Sequence, residues 1–437
     1  MVQSVTSVFN QFFYKIEPAR IGIFRSGGLV FIHCWIQASN FFHKIQYTKL
    51  DQRQSGKIQY AVMDILLFIL LHILDGDKRI SHYDRNPNKA IFLRLFKWIK
   101  IPSQSTVLKI LQCNPGLARI LDHFLMLSCV ADIVKFCKKN NRHKVTIDVD
   151  QTARELYGKQ QGVDKGYSAG KRNARLYQIR GYAVREMKQS LRVRLLTGNT
   201  YSSTDFLSEI RVIAALLKKA GITGFFVGDS GFEVGAVCDF LHETGHQFLF
   251  AVKKRKDVKQ RGKYSKNKKQ HYNGKIIIKE RERPITDRFH HKYREIYVQV
   301  LSDDGQLWFD FAADHFTNVF VTNLTCSSLN AYKNYKKHAV IETVIEELKN
   351  DFGAGLAHGD DFKVNSIMTN CSGIAYNIKN RFLVDAGMAG QGEPKIKLTT
   401  LQSIWLHTPG EIVKHSNRFK LKIAPSRFEQ FKNILAA

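Results

Sequence analysis

The hydrophobic period of the chain switches near residue 144, and this switch limits the available folds more than any other feature. Before it, apolar residues recur at helical spacing over 29–42, 60–74, 90–99, 105–113 and 117–137. Breakers separate these runs at Asp75-Gly76-Asp77, Asn86-Pro87-Asn88, Pro102-Ser103 and Asn114-Pro115-Gly116. From Lys144 onward, Val145, Ile147 and Val149 alternate with Thr146, Asp148 and Asp150, which predicts a half-buried strand with both carboxylates on one face. Two more strand-like stretches, 176–185 and 190–197, joined by Glu186-Met187-Lys188-Gln189, predict a β-meander. A helix over 203–220, a buried strand over 224–228, a helix over 232–243 and a strand over 248–252 follow. Strands alternating with helices predict an α/β core with parallel pairing after the meander.

A helical region of about 140 residues before an α/β core fits the length of 437 residues, which predicts two to four domains. The chain carries 67 Lys+Arg against 38 Asp+Glu, a net charge of +29, yet 44% hydrophobic residues exclude a disordered polycation. Such a charge favours nucleic acid or another anionic surface as partner. Basic ribosomal and membrane-surface proteins share that sign, so charge alone leaves function open. The densest basic stretch, 253–283, holds 14 Lys/Arg against three acids, Asp257, Glu280 and Glu282. A long polar stretch within an α/β rhythm predicts an inserted subdomain, and 295–301 with 306–311 around Ser302-Asp303-Asp304-Gly305 predicts a hairpin there. A core strand resumes over 319–322, followed by helices through Lys349 and over 366–384 and by a basic C-terminal tail. Seven scattered cysteines without a CxxC pair argue against structural zinc and for reduced thiols in a cytosolic compartment. The N-terminus lacks a signal-peptide pattern, and the apolar run 62–74 is too short to span a membrane. These features predict a soluble intracellular protein.

Three carboxylates stand at structural junctions: Asp150 on the first core strand, Asp229 where the buried strand ends in Gly228-Asp229-Ser230-Gly231-Phe232, and Glu342 on the helix after the resumed core. Carboxylates at neighbouring strand ends, joined by one from a flanking helix, can converge on a pair of hard divalent cations of the kind that stabilise in-line phosphoryl transfer. Taken singly, each also has an ordinary structural role, as a helix cap, a solvent-facing strand residue or a surface glutamate. Asp148, on the face of Asp150, is a reserve ligand, and Glu346 competes with Glu342. On one continuous helix Tyr335, His338, Glu342 and Lys349 would share a stripe roughly 60° wide, with Val340, Ile341, Val344, Ile345 and Leu348 buried on another face.

The run from Tyr335 through His338 and Glu342 to Lys349 resembles the Y-x2-R-x3-E-x6-K signature of DDE transposases of bacterial insertion sequences, with His338 in place of the usual Arg. Asp150-Gln151-Thr152 resembles the family's first D-x-T motif and the Asp229 segment its second. Asp229 lies 79 residues after Asp150 and Glu342 a further 113 on, a gap like that of the subgroup with a β-rich insertion before the catalytic Glu. The resemblance covers roughly residues 20–390. It implies an RNase H-like catalytic core in which Asp150, Asp229 and Glu342 hold two Mg²⁺, with Mn²⁺ substituting. The ends of an element would be cut to free a 3′-OH, which then attacks target DNA. Tyr335, His338 and Lys349 would contact the element end, and Lys254, Arg255, Lys256, Lys268 and Lys269 its backbone. The implied organisation is a helical DNA-binding region over 1–140, a core over 141–252 and 318–395, a basic β-rich insertion over 253–317, and a basic tail over 396–437. A homodimer would pair two terminal inverted repeats in a synaptic complex, in the cytoplasm and associated with the nucleoid when DNA-bound. A metal-dependent nuclease on the same core and a transposon-derived DNA-binding protein are the alternatives.

Overall fold

The computed structural model describes residues 4–18, 24–42, 45, 50, 51, 53, 58–168, 171–253, 270–272, 276–300, 318–389, 396–416 and 418–436. The N-terminal region contains helices α1 (Val5–Phe9), α2 (Gly28–Ala38), α3 (Val62–Asp75), α4 (Lys89–Leu95), α5 (Gln104–Gln112) and α6 (Leu117–Lys139), and one short strand, β1 (Lys15–Pro18). Helix α3 is apolar around nearly its whole circumference, so it is enclosed on all sides, and Gly76 ends it at φ +101°. Ser103 caps α5 by accepting the Thr106 amide, as its position just before the apolar run implies.

The core is a ten-stranded sheet. Its strands are β2 (Lys144–Glu155), β3 (Asp164–Ser168), β4 (Lys171–Val184), β5 (Gln189–Leu196), β6 (Thr223–Gly228), β7 (Gln247–Ala251), β8 (Gln270–Tyr272), β9 (Ile276–Arg283), β10 (Tyr293–Val300) and β11 (Asn318–Thr322). β2, β4 and β5 form an antiparallel meander, and β2, β6 and β7 pair in parallel, so these five lie in the order β5-β4-β2-β6-β7. β3 and β5 share the outer edge of β4, because Leu176 pairs with Asp164 on one side and Glu155 on the other. Past β7 the sheet continues antiparallel through β11, β10, β9 and β8. The described strands of the expected insertion therefore extend the central sheet instead of standing apart from it. The second strand of the expected hairpin, 306–311, lies outside the described residues.

Helices cover both faces. α7 (Phe206–Lys219) and α8 (Gly235–Glu243) pack on Val145, Ile147 and Val149. On the opposite face, α9 (Ser328–Lys336) packs near Phe320, and α10 (Ala339–Asn350) and α11 (Phe362–Asp385) lie against Ile179, Ala183 and Val193. The segment expected to be a basic tail is folded over its described residues. It forms α12 (Leu398–Leu401), a π-turn over Gln402–Leu406, the hairpin β12 (Gly410–His415) and β13 (Arg418–Ile423), and α13 (Pro425–Ala436). β13 pairs in parallel with β1, and Trp405 and Phe431 enter the same apolar core as α2. Asp75, fully buried, joins these ends: Ser26, Asn86 and Asn88 donate to it, and Arg25 and His407 stand 3.4 Å away. Among the described residues no helix is long and apolar enough to cross a membrane, and all seven cysteines are free.

Candidate active site

Asp150 and Asp229 occupy equivalent places on neighbouring strands. The parallel ladder of β2 and β6 ends at the Val149–Gly228 pair, so each aspartate is the first residue past it. β2 runs on beside β4, whereas the chain after Gly228 turns away. One oxygen of each carboxylate accepts a nearby amide: Gln151 N–H at 2.7 Å for Asp150, Gly231 N–H at 2.9 Å for Asp229. Asp150 is half-buried and Asp229 exposed.

Glu342 lies in the first turn of α10, exposed, while Ile341, Val344, Ile345 and Leu348 bury the opposite side of the helix. A glycine allows this helix close to the sheet. Gly181 pairs with Asp150 across β4, and a Cβ there would lie 3.0 Å from Ile345 Cγ1, tighter than ordinary packing.

The electrostatics tie the three carboxylates together. Burial pushes the Asp150 carboxyl up to about 6, and the negative charges of Asp229 and Glu342 push the same way, against the Gln151 amide and His338. The Tyr335 hydroxyl is pushed up to about 12, first by burial and then by Asp229, Asp150, Glu342 and Asp148. Among the described residues, no group of three or more His, Cys, Asp or Glu side chains is placed so that it could hold a metal ion. On charge, the set does fit one: three mutually repelling carboxylates are the donors that hard divalent cations take.

Asp148 is placed differently. It is fully buried, and both its oxygens are engaged, by the Arg185 guanidinium (Nε to Oδ2 2.7 Å) and by His338 Nδ1 at 2.8 Å. This geometry makes Asp148 a poor reserve ligand, since releasing it would leave Arg185 without its counter-charge. His338, expected on an open face, is buried against it.

The continuous helix expected through Tyr335 and Lys349 is broken at Lys337-His338, between α9 and α10. Arg185 Nη1 donates to the Asn334 carbonyl at 2.8 Å, the group that His338 N–H would use in an unbroken helix, and His338 N–H bonds Tyr335 O instead. Tyr335 therefore belongs to α9, its ring 4.4 Å from Phe320 and 5.6 Å from His338. Lys349 sits near the far end of α10, half-buried, with Nζ 2.6 Å from the Ala153 carbonyl of β2. Lys254, Arg255, Lys256, Lys268 and Lys269 lie outside the described residues.

Residues not anticipated from the sequence support the site from behind. Arg180, fully buried in β4, donates to Gln151, Glu209 and the carbonyls of Tyr201 and Thr204, so it binds the loop after β5 to the strand that carries Asp150. The signal for Arg180 and Arg185 was cationic residues on an otherwise apolar strand; their partners become visible only once the meander's register is known.

Residues 23–435 match a protein-family model described as transposase DDE domain, group 1. No curated protein matches the chain. Among solved structures, a piggyBac transposase synaptic complex with hairpin DNA aligns over 93% of this chain and 80% of its own, at 11% identity and TM-score 0.42. A Mos1 transposase paired-end complex with left transposon end aligns over 50% of this chain and 66% of its own, at 14% identity and TM-score 0.17. A pre-cleavage Mos1 transpososome gives 12% identity, 50% and 67% coverage and the same TM-score of 0.17.

Proposed function

The chain belongs to the transposase DDE domain family, group 1, and is a DNA transposase; from that premise we propose that Asp150, Asp229 and Glu342 are its catalytic carboxylates. The observation that carries this reading is the place of Asp150 and Asp229, each the first residue past the end of one parallel ladder, with the charges of Asp229 and Glu342 adding to burial in the upward push on the Asp150 carboxyl. The order β5-β4-β2-β6-β7, an antiparallel meander beside two parallel strands, supports an RNase H-like core. The three carboxylates would hold divalent cations, with Mg²⁺ as the physiological ion and Mn²⁺ as a substitute. Such ions, when bound, supply positive charge to the attacking and leaving oxygens of an in-line phosphoryl transfer.

The chain's own groups do the positioning. Arg185 and His338 hold Asp148 and so fix the strand from which Asp150 projects. Arg180 fixes the loop beside it. Lys349 would contact a backbone phosphate, and Tyr335, half-buried, would form a wall near the carboxylates. The helices of 1–140 and the basic segment 253–317 would bind the terminal inverted repeats, and a homodimer would pair two ends before the freed 3′-OH attacks target DNA.

The test is incubation of the protein with Mg²⁺, labelled donor DNA carrying its coding sequence and native flanks, and a target plasmid. Joined products are the expected result. Cleavage without joining would favour a nuclease, and absence of cleavage would sink both. Asp229→Asn should abolish cleavage while DNA binding survives; full activity in that variant would refute the assignment.

A further inference from the structure

β2 and α10 run side by side, and their facing edges change sign along the way. At one end stand Asp148 and Asp150 on β2, with Glu342 on α10. On the same face of β2 as Asp150, four residues on, stands Arg154, and seven residues past Glu342 stands Lys349. Arg154 Nη2 donates to the Lys349 carbonyl, and Lys349 Nζ to the Ala153 carbonyl. The turn after α3 brings two more cations to this end: Lys78 Nζ donates to Asn350 O at 2.5 Å and Arg79 Nη1 to Ala357 O at 3.4 Å.

All four cations thus meet only carbonyl oxygens, those met by Lys78, Arg79 and Arg154 at the end of α10 and in the loop that follows, that met by Lys349 on β2. Among the described residues none of them is in an ion pair. Glu155, whose charge reaches Lys349, is itself engaged by Lys171 and Ser168. Lys78, Arg154 and Lys349 are half-buried, and Arg154 Nε is buried without a hydrogen-bond partner. Gathering cations in partly dry surroundings without a carboxylate costs stability, and such clusters persist where a ligand supplies the missing charge. The repulsion is visible in the groups themselves. Burial and then Arg79 hold the Arg154 guanidinium down to about 10, and burial and then Arg154 lower Lys349. Carbonyl capping at a helix C-terminus accounts for single cations there, but not for four drawn from three separate segments.

We propose that Lys78, Arg79, Arg154 and Lys349 form one site for backbone phosphates of the DNA strand that enters the carboxylate cluster. This rests on the transposase reading and adds three residues, two of them from the N-terminal region, to the surface that carries DNA. Seven residues of helix separate Glu342 from Lys349, roughly 10 Å, or about three steps of duplex rise. The site therefore grips the strand close to the reacting phosphate without touching it, and it couples the N-terminal helices to the core through the substrate.

The experiment measures binding of a fluorescein-labelled duplex of arbitrary sequence to the full chain across a salt series. Arg79→Glu, an exposed and structurally safe change, and Arg154→Gln are compared with wild type. Lys219→Glu on α7, across the sheet, controls for net charge. Each site variant is expected to weaken binding roughly tenfold near 0.1 M salt and to flatten the log–log salt slope by about 0.9, while Lys219→Glu changes little. Binding equal to wild type in both site variants, or an equal loss in Lys219→Glu, would overturn the proposal and leave the transposase reading standing. A lowered melting temperature with unchanged DNA affinity would assign the cations to helix capping and also overturn it. A wild-type chain that binds no duplex at any salt would remove both readings together.

Discussion

Asp148 and Asp150 share one strand face, yet the same substitution should act on them in opposite directions. Burial first, and then the charges of Asp229 and Glu342, push the Asp150 carboxyl up to about 6 in the folded chain against an ordinary 3.8. The unfolded chain loses that proton first, so the folded state is disfavoured as pH rises from about 4 to 6, and the penalty stays constant above. Asp150→Asn should therefore stabilise the metal-free protein above pH 6, by at most about 3 kcal/mol, with the gain vanishing below pH 4. Asp148→Asn should destabilise it by about 3 kcal/mol, because it leaves the buried Arg185 guanidinium without its counter-charge. Urea unfolding of both variants at pH 4 and pH 8 checks the pair; equal signs at pH 8 would refute the division of roles. In the sequence Asp148 was the reserve for Asp150, since alternation places both on one face. What separates them is Arg185, 37 residues away, whose position depends on a hairpin register that local pattern does not specify.

At the scale of elements, the apolar periodicity of α10 was legible and so was the Glu342 it carries, because burial of one helix face writes itself into spacing. The break before α10 was not legible, because its cause is tertiary: a guanidinium from β4's end takes the Asn334 carbonyl out of the helical ladder. The same holds for the gap the helix occupies. Gly181 reads as an ordinary glycine in a strand, but the structure sets it under Ile345 and opposite Asp150. A side chain there would lift α10 from the sheet and carry Glu342 away from the two aspartates. Gly181→Val should lower the cleavage rate roughly a hundredfold, the scale of a 1 Å misplacement at a reacting centre. Trimming the opposing side chain provides the decisive comparison: Ile345→Ala combined with Gly181→Ala should recover much of the rate lost by Gly181→Ala alone. If the double variant is as slow as the product of the two single effects, the helix is not held by this contact.

Across the whole molecule, the basic balance of +29 pointed to a partner without describing a shape. Its basic residues drew the C-terminal segment as a tail, since its apolar residues, though as frequent as elsewhere, are interrupted by lysines, Pro409 and Pro425 before any one period is established. Its packing reveals a different role, for Leu398, Leu401, Trp405, Leu406, Leu421, Ile423 and Phe431 help to close the N-terminal core. Phe431 stacks on Phe31 at 4.3 Å, and Trp405 stands 4.7 Å from Phe431 and 4.8 Å from Phe382, so residues from both termini share one aromatic cluster with α11. β13 supplies β1 with its strand partner, and His407 faces the buried Asp75. Loss of one such aromatic typically costs about 3–5 kcal/mol, and a whole domain holds only about 5–15 kcal/mol in reserve. A chain ended at residue 395 should therefore lose more than DNA affinity: α1 and α2 should lose their protection, and the cooperative thermal transition of the N-terminal region should disappear. Hydrogen exchange over residues 28–38 and a thermal melt of the shortened chain measure this directly. A dispensable basic tail would leave both unchanged and reduce only the binding of DNA, and that result would mean that the two ends of the chain do not depend on each other for their fold.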